Sequence, residues 1–249
     1  MSFKRITAAT LISMAILSGC ATTATTTAVN EPESQVKIAQ ADERILGYFS
    51  ADGEFGQEKS INGYMRKYLG KTAEGKSVLQ DFYAINGKPQ TSPFVLFDDA
   101  GLEDWNSLQY TEGDIVFYNA DGTPSARATL KDGQYVGSNT QYHGNGKVFL
   151  KEQYNPSSEI TSTAYFDEAE KPLFAFTIDS TGDDYKIDVK VYDAAGTAYP
   201  ATEAHEDKIQ AATETIGALM NKRAALEANL SGQETPEEQA IILPRMPEE

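Results

Sequence analysis

The hydrophobic rhythm of the chain changes along its length. Between about Ile45 and Pro200, short apolar–polar runs are broken by turn residues. Tyr185-Lys186-Ile187-Asp188-Val189-Lys190-Val191-Tyr192 alternates strictly, and Phe174-Ala175-Phe176-Thr177-Ile178 alternates large and small. Period-two patterning with one polar face predicts antiparallel strands half open to water. Asp52-Gly53, Asn86-Gly87, Asp121-Gly122, Asp132-Gly133 and Asn145-Gly146 supply the positive φ that tight hairpin turns demand. Over residues 203–230 the period lengthens. Ile209, Ala212, Ile216, Leu219, Leu226 and Leu230 recur at steps of three, four or seven. This spacing predicts a helix capped by Thr202, with Glu203, Glu206 and Asp207 favoured at its positive end. Arg223 falls on the seam where an apolar residue belongs. The helix is expected to pack on the end or face of the sheet and cap exposed repeat edges, in preference to forming a self-associating coiled coil.

A longer period overlies the strands. An aromatic residue stands four positions before a glycine at Phe49/Gly53, Tyr83/Gly87, Phe97/Gly101, Tyr118/Gly122, Tyr142/Gly146 and Tyr192/Gly196. Gly113 to Gly137, Tyr118 to Tyr142 and Gly122 to Gly146 are each 24 residues apart, with Phe166 and Glu170 one period further on. Fixed self-similarity of this kind signals stacked supersecondary units, here hairpins. The stretch from Leu130-Lys131-Asp132-Gly133 through Gly137 and Tyr142 to Asn145-Gly146-Lys147 resembles the MORN-type repeat variant of bacterial proteins labelled antitoxin-like. Val116–Gly122 is similar to the same unit one period earlier. The resemblance is good over about Gly113–Tyr154 and degenerate over Ile45–Glu112 and Ser158–Pro200. It implies an elongated sheet of successive hairpins and no catalytic residue. The expected fold is therefore mainly β: an elongated antiparallel sheet of successive hairpin repeats (residues 44–200) with one C-terminal amphipathic helix (203–230).

The N-terminus belongs to a different physics. A basic start, Lys4-Arg5, precedes a mostly apolar run of about 12 residues, shorter than the ~20 that a transmembrane helix needs. That combination reads as a cleaved export signal over residues 1–19. Leu17-Ser18-Gly19-Cys20 resembles the lipobox of bacterial lipoproteins, which implies lipidation at Cys20 and a membrane anchor there. Several acyl chains hold firmly where one holds marginally. Ala21 rather than Asp follows the cysteine, which by the rule for Gram-negative lipoproteins implies the outer membrane. Cys20 is the only cysteine of the chain, so no disulfide forms within it and a cysteine-based zinc site is not expected. Residues 20–43, rich in Thr and Ala, are expected to form a disordered tether. Residues 231–249, with three prolines among glutamates, are expected to form a disordered acidic tail.

Charge narrows the partners. The chain carries 37 acidic and 21 basic residues, a net of −16. Removing Lys4 and Arg5 with the signal leaves 37 against 19, a net of −18. Such a surface repels nucleic acid and anionic head groups.

Candidate chemistry is sparse. Gly70-Lys71-Thr72-Ala73-Glu74-Gly75-Lys76-Ser77 fits the phosphate-loop pattern, and Phe94–Asp98 fits a magnesium-holding strand. A phosphate loop needs a buried parallel strand before it and a helix after it. Only Tyr68-Leu69 precede Gly70, and Asn86-Gly87 and Pro89 break the chain soon after Ser77, so a worn repeat turn is the favoured reading. His143 and His205 read as surface residues without metal-ligating neighbours. Asp98-Asp99, Glu103-Asp104 and Asp179…Asp183-Asp184 lack calcium-loop spacing and read as solvated turns. No nucleophile elbow occurs. No catalytic residue, cofactor or metal ligand is therefore assigned. The functional clue is aromatic: Tyr118, Tyr135 and Tyr142 on the repeats are candidate interaction residues, because amphipathic rings favour interfaces. Trp105 reads first as core and, as the sharper alternative, as an anchor for a partner. The expected role is that of a non-enzymatic, membrane-anchored envelope lipoprotein acting as a binding module or scaffold for an envelope protein or surface polymer. An immunity-like protein that occludes a toxin, and an enzyme with an unrecognised site, are the alternatives.

Overall fold

In the computed structural model, residues 36–179 and 186–231 are described, and all of them belong to one compact unit. The lipidation candidate Cys20, the export signal, most of the tether and the acidic tail beyond Ser231 lie outside these residues.

The described residues form a mainly β structure of 13 strands in a single antiparallel sheet, followed by one helix. The strands are β1 (Gln40–Phe49), β2 (Phe55–Gly56), β3 (Tyr64–Lys71), β4 (Ser77–Tyr83), β5 (Phe94–Leu96), β6 (Thr111–Tyr118) and β7 (Pro124–Lys131). They continue with β8 (Gln134–Tyr142), β9 (Val148–Tyr154), β10 (Ile160–Phe166), β11 (Pro172–Asp179), β12 (Lys186–Tyr192) and β13 (Ala198–Pro200). From β3 to β13 every strand pairs with its neighbours in sequence, as an unbroken meander. β1 starts at Gln40, so residues 40–43, expected in the tether, are strand instead: they pair with the far end of β3.

One turn explains the aromatic-to-glycine spacing. At Asn119, His143, Asp167 and Asp193 the residue's N–H donates to the carbonyl four residues on, and its own carbonyl accepts from the N–H three residues on. That third residue is left-handed: Gly122 (φ 93°), Gly146 (79°), Glu170 (64°) and Gly196 (84°). This is a hairpin loop built on a four-residue turn closed by one left-handed residue. The aromatic residue is the last one of the incoming strand, and the 24-residue period is the distance between alternate loops. Glu170 takes the glycine conformation without being glycine. So does Ser158 (φ 64°) in the Asn155–Glu159 loop of the opposite edge, which carries no Asn-Gly or Asp-Gly signal. Gly101 breaks the spacing rule. It lies in a 3-10 turn (Asp99–Leu102), not in a hairpin.

Loops on one edge of the sheet clasp each other. Asn86 Nδ2 donates to the Ala120 carbonyl at 2.7 Å, Asn145 Nδ2 to the Glu168 carbonyl at 3.0 Å, and Lys171 Nζ to the Ala194 carbonyl at 3.2 Å. His143 joins this edge. Contrary to the surface position expected for it, the ring is 2% exposed, with Nε2 3.0 Å from the Phe166 carbonyl. A carbonyl only accepts, so Nε2 carries the proton. The burial follows from the ring edge packing on fully buried Phe149, with centroids 5.2 Å apart.

The main core lies on one sheet face. Tyr68, Leu79, Phe94, Leu96, Ile115, Ala128 and Leu130 cluster there, with Leu102, Leu108 and Tyr110 packed over them from the β5–β6 connection. That connection is held by Arg66, which is fully buried. Its guanidinium donates twice to Asp81, at 2.8 and 2.7 Å, and also to the carbonyls of Gly101 (3.0 Å) and Asp104 (2.8 Å). A buried charge is tolerated only when its donors find acceptors. Here the acceptors include the loop backbone itself.

Residues 203–205 form a 3-10 turn that runs into α1 (Glu206–Ser231). Thr202 contributes no side-chain cap; its backbone carbonyl accepts from His205 N–H at 2.8 Å, and His205 Nδ1 lies 3.0 Å from the Pro200 carbonyl. The helix lies on the sheet as expected, touching β12 and β11. Ala212 is buried and Ile209, Ile216, Leu219 and Leu226 are half-buried. Arg223 belongs to this buried stripe for a polar reason: Nε donates to the Tyr142 carbonyl and Nη1 to Gln141 Oε1, each at 2.8 Å, with the guanidinium 4.9 Å from the Phe149 ring centroid.

Candidate functional site

The phosphate-loop pattern is resolved by topology. Gly70 and Lys71 end β3, Ser77 opens β4, and residues 72–76 are a hairpin loop of the repeat type, with Gly75 at φ 83°. The strands on both sides are antiparallel and no helix follows. Lys76 Nζ is committed to Glu112 at 2.6 Å, and Ser77 Oγ donates to Asp99 Oδ1 at 2.6 Å. Gly70 is required because a β-carbon there would overlap the Gln40 carbonyl, at a φ of 134°. The glycine answers to a neighbouring strand rather than to a phosphate.

The more distinctive place on the sheet lies between two coverings: the β5–β6 connection on one side and the C-terminal half of α1 on the other. A cavity of about 380 Å³ there is lined by Tyr64, Tyr83, Gln90, Phe117, Tyr118, Asn119, Ser125, Ala126, Gln141 and Arg223. A second cavity of about 200 Å³ shares Gln90 and Phe117 with it and is also lined by Trp105 and Asn106. These two adjoining cavities are the candidate cleft.

Strand register builds its floor. Ala126 on β7 pairs with Phe117 on β6 and with Gln141 on β8. Facing side chains on adjacent strands stand together, so the small residue between two large ones leaves a depression. Tyr64 and Tyr83 pair across β3 and β4, their ring centroids 5.5 Å apart. The Tyr83 hydroxyl donates to the Tyr118 carbonyl at 2.7 Å, tying β4 to the end of β6. Trp105 stacks on Tyr64 with centroids 4.6 Å apart and on Phe49 at 5.3 Å. It is 38% exposed, so it is a rim residue and not the core residue first expected. The tryptophan sits in a connection with no regular strand to bury it, and its inner face is already used against Tyr64 and Phe49.

Polar groups complete the cleft. Gln90 is half-buried, and its backbone is held by Asp81 and Tyr118. Its side-chain amide makes no hydrogen bond among the described residues, and neither do the Asn106 amide nor the Trp105 indole N–H. Among the described residues no aspartate or glutamate lines the larger cavity, and Arg223 is the one charged residue lining it.

The structure divides the four aromatic candidates. Tyr118 lines the larger cavity and Trp105 the smaller one beside it. Tyr142 closes β8 and offers its carbonyl to Arg223 beside the cleft. Tyr135 goes elsewhere: it packs against the core and Tyr154, with ring centroids 5.6 Å apart. Tyr135, Tyr154 and Tyr165 surround Glu152, and burial followed by the Glu152 charge raises all three phenols, Tyr154 to about 12. Gln90, Tyr64 and Gln141 carried no separate sequence signal. Only the register places them beside Phe117 and Tyr118.

Among the described residues no group of three or more His, Cys, Asp or Glu is placed to hold a metal ion, and no helix is long and apolar enough to cross a membrane. Neither a family model nor a curated protein matches the chain. A solved structure described as the crystal structure of TarM is similar at 13% identity over 53% of this chain and 21% of that one, with a TM-score of 0.22. A likeness at that level carries no argument about the present chain.

Proposed function

We propose that the protein is a non-enzymatic, membrane-anchored envelope lipoprotein that acts as a binding module or scaffold, with the aromatic and amide cleft as its binding surface. The observation that carries this reading is the cleft itself. The sheet and the β5–β6 connection present Trp105, Tyr118 and Phe117 with Gln90 and Asn106 around two adjoining cavities, groups suited to hold a partner by stacking and hydrogen bonding. The anchor rests on Cys20 and the sequence before it, and the strongly acidic chain disfavours nucleic acid as the partner.

Two readouts on one pair of proteins test it. Labelled palmitate is expected to enter the wild-type chain and not Cys20→Ser. The unanchored Cys20→Ser protein is then expected to sediment with envelope fragments, and to lose that retention by about tenfold when Gln90→Ala and Asn106→Ala are added. Equal palmitate in both proteins contradicts the anchor. Retention unchanged by the two cleft substitutions contradicts the binding surface.

A further inference from the structure

We infer that the cleft binds a glycan chain, one or more pyranose rings of a surface polymer, rather than a peptide or a nucleotide. The inference deepens the binding function proposed above and rests on it.

A pyranose is amphipathic in a particular way. Its C–H faces are apolar and its rim carries hydroxyls that both donate and accept. A site for it therefore needs flat rings beside neutral groups of both hydrogen-bonding senses. The cleft offers that combination. Trp105 has its indole stacked on Tyr64 at 4.6 Å, yet it remains 38% exposed, leaving ring surface toward the solvent. Phe117 is a further aromatic residue lining both cavities, and Tyr118 lines the larger one. An amide carries two donors and one acceptor oxygen with two lone pairs. Gln90 lines both cavities and Asn106 the smaller one, and both amides are uncommitted within the described protein. The indole N–H of Trp105 is a third uncommitted donor.

Charge selects among ligands. In a chain with 37 acidic residues, the described residues lining the larger cavity include no carboxylate and a single cation, Arg223. The one carboxylate of the smaller cavity, Asp81, is taken up by Arg66. A basic peptide finds no counter-charge here. A nucleotide phosphate finds one guanidinium, already donating to Gln141 and the Tyr142 carbonyl. A neutral or carboxylate-bearing sugar chain needs neither a run of cations nor a run of anions. Two adjoining cavities of about 380 and 200 Å³ also suit successive rings of a polymer better than one globular anchor residue.

Trp105 is the only tryptophan of the chain, so its fluorescence reports the cleft alone. The full-length protein in detergent is titrated with chitohexaose, cellohexaose and hexagalacturonate. At least one of the three is expected to change the Trp105 emission saturably, with affinity about tenfold weaker in Gln90→Ala and unchanged in Tyr135→Phe, which lies outside the cleft. Gln90 spends no side-chain hydrogen bond, so its truncation leaves the fold intact, and an unchanged far-ultraviolet circular dichroism spectrum verifies this. Emission that responds to no sugar, while the Gln90→Ala and Asn106→Ala protein still loses envelope retention, overturns the glycan and leaves the binding function standing. Silence toward sugars together with unchanged retention overturns both. Sugar binding that is equal in wild type and Gln90→Ala overturns the assignment to this cleft.

Discussion

Individual residues settle questions that the pattern of the chain leaves open. Arg66 and Asp81 show it most clearly. Both lie in segments of alternating character, and nothing in their spacing announces a buried pair. The three-dimensional reason is the β5–β6 connection, whose carbonyls at Gly101 and Asp104 need donors once the loop is laid over the core. Removing one partner of such a pair leaves an uncompensated buried charge, at a cost of about 3–5 kcal/mol. The tyrosines around Glu152 make a second residue-scale statement, and it concerns pH. The Tyr154 phenol is raised from 10.0 to about 12 by burial and by the nearby Glu152. Across that window the folded state holds a proton that the unfolded state releases, so stability is fully present below pH 10 and falls as pH rises toward 12. Chemical-denaturation midpoints measured at pH 9 and pH 11 are expected to fall in the wild type. They should fall less in Tyr154→Phe, with the remaining slope coming from Tyr135 and Tyr165. An identical slope in the two proteins removes Tyr154 from this role.

At the scale of elements, the hairpin loop was legible and its exceptions were not. Strict alternation in β12 and β11 marks them as strands, and Asn-Gly or Asp-Gly marks the loops at Gly122 and Gly146. The 24-residue period marks their repetition. The loops at Asn155 and Asp167 were harder to read, because Ser158 and Glu170 take the left-handed conformation without glycine. What holds them there is side-chain bonding from the first loop residue. Asp167 Oδ1 accepts from Ala169 and Lys171 N–H, each at 2.8 Å, and Asn155 Oδ1 accepts from Ser157 and Glu159 N–H. A left-handed residue with a β-carbon costs about 1–2 kcal/mol. Glycine gives back roughly 0.4–1 kcal/mol through the unfolded chain. Glu170→Gly is therefore expected to stabilise the protein by about 0.5–1 kcal/mol in urea unfolding, and a destabilised variant would show that the Glu170 side chain has a role beyond the turn. The helix gives the same lesson in reverse. Its apolar spacing places it on the sheet, but Arg223 looked like a defect in the stripe. In the fold it is the residue that fastens the helix to β8, because the end of that strand offers a carbonyl and an amide oxygen rather than an apolar hole.

At the scale of the whole molecule, the meander and its helix together make a surface that no single element carries. The cleft exists because β6, β7 and β8 set Phe117, Ala126 and Gln141 in a row, the β5–β6 connection raises Trp105 on one side, and Arg223 closes the other. Trp105 and Tyr118 could be singled out from residue type, since amphipathic rings favour interfaces. Their meeting point could not, because register across non-adjacent strands is a product of the folded sheet. On the proposed function, this cleft is where the protein meets its partner in the envelope. The most direct test is site-specific photocrosslinking in intact cells, with a photoreactive side chain at position 106 in one protein and at exposed position 177 on β11 in another. One dominant adduct is expected from position 106, absent from position 177 and lost when Gln90→Ala is added. Equal labelling from both positions, or no adduct from position 106, would contradict it.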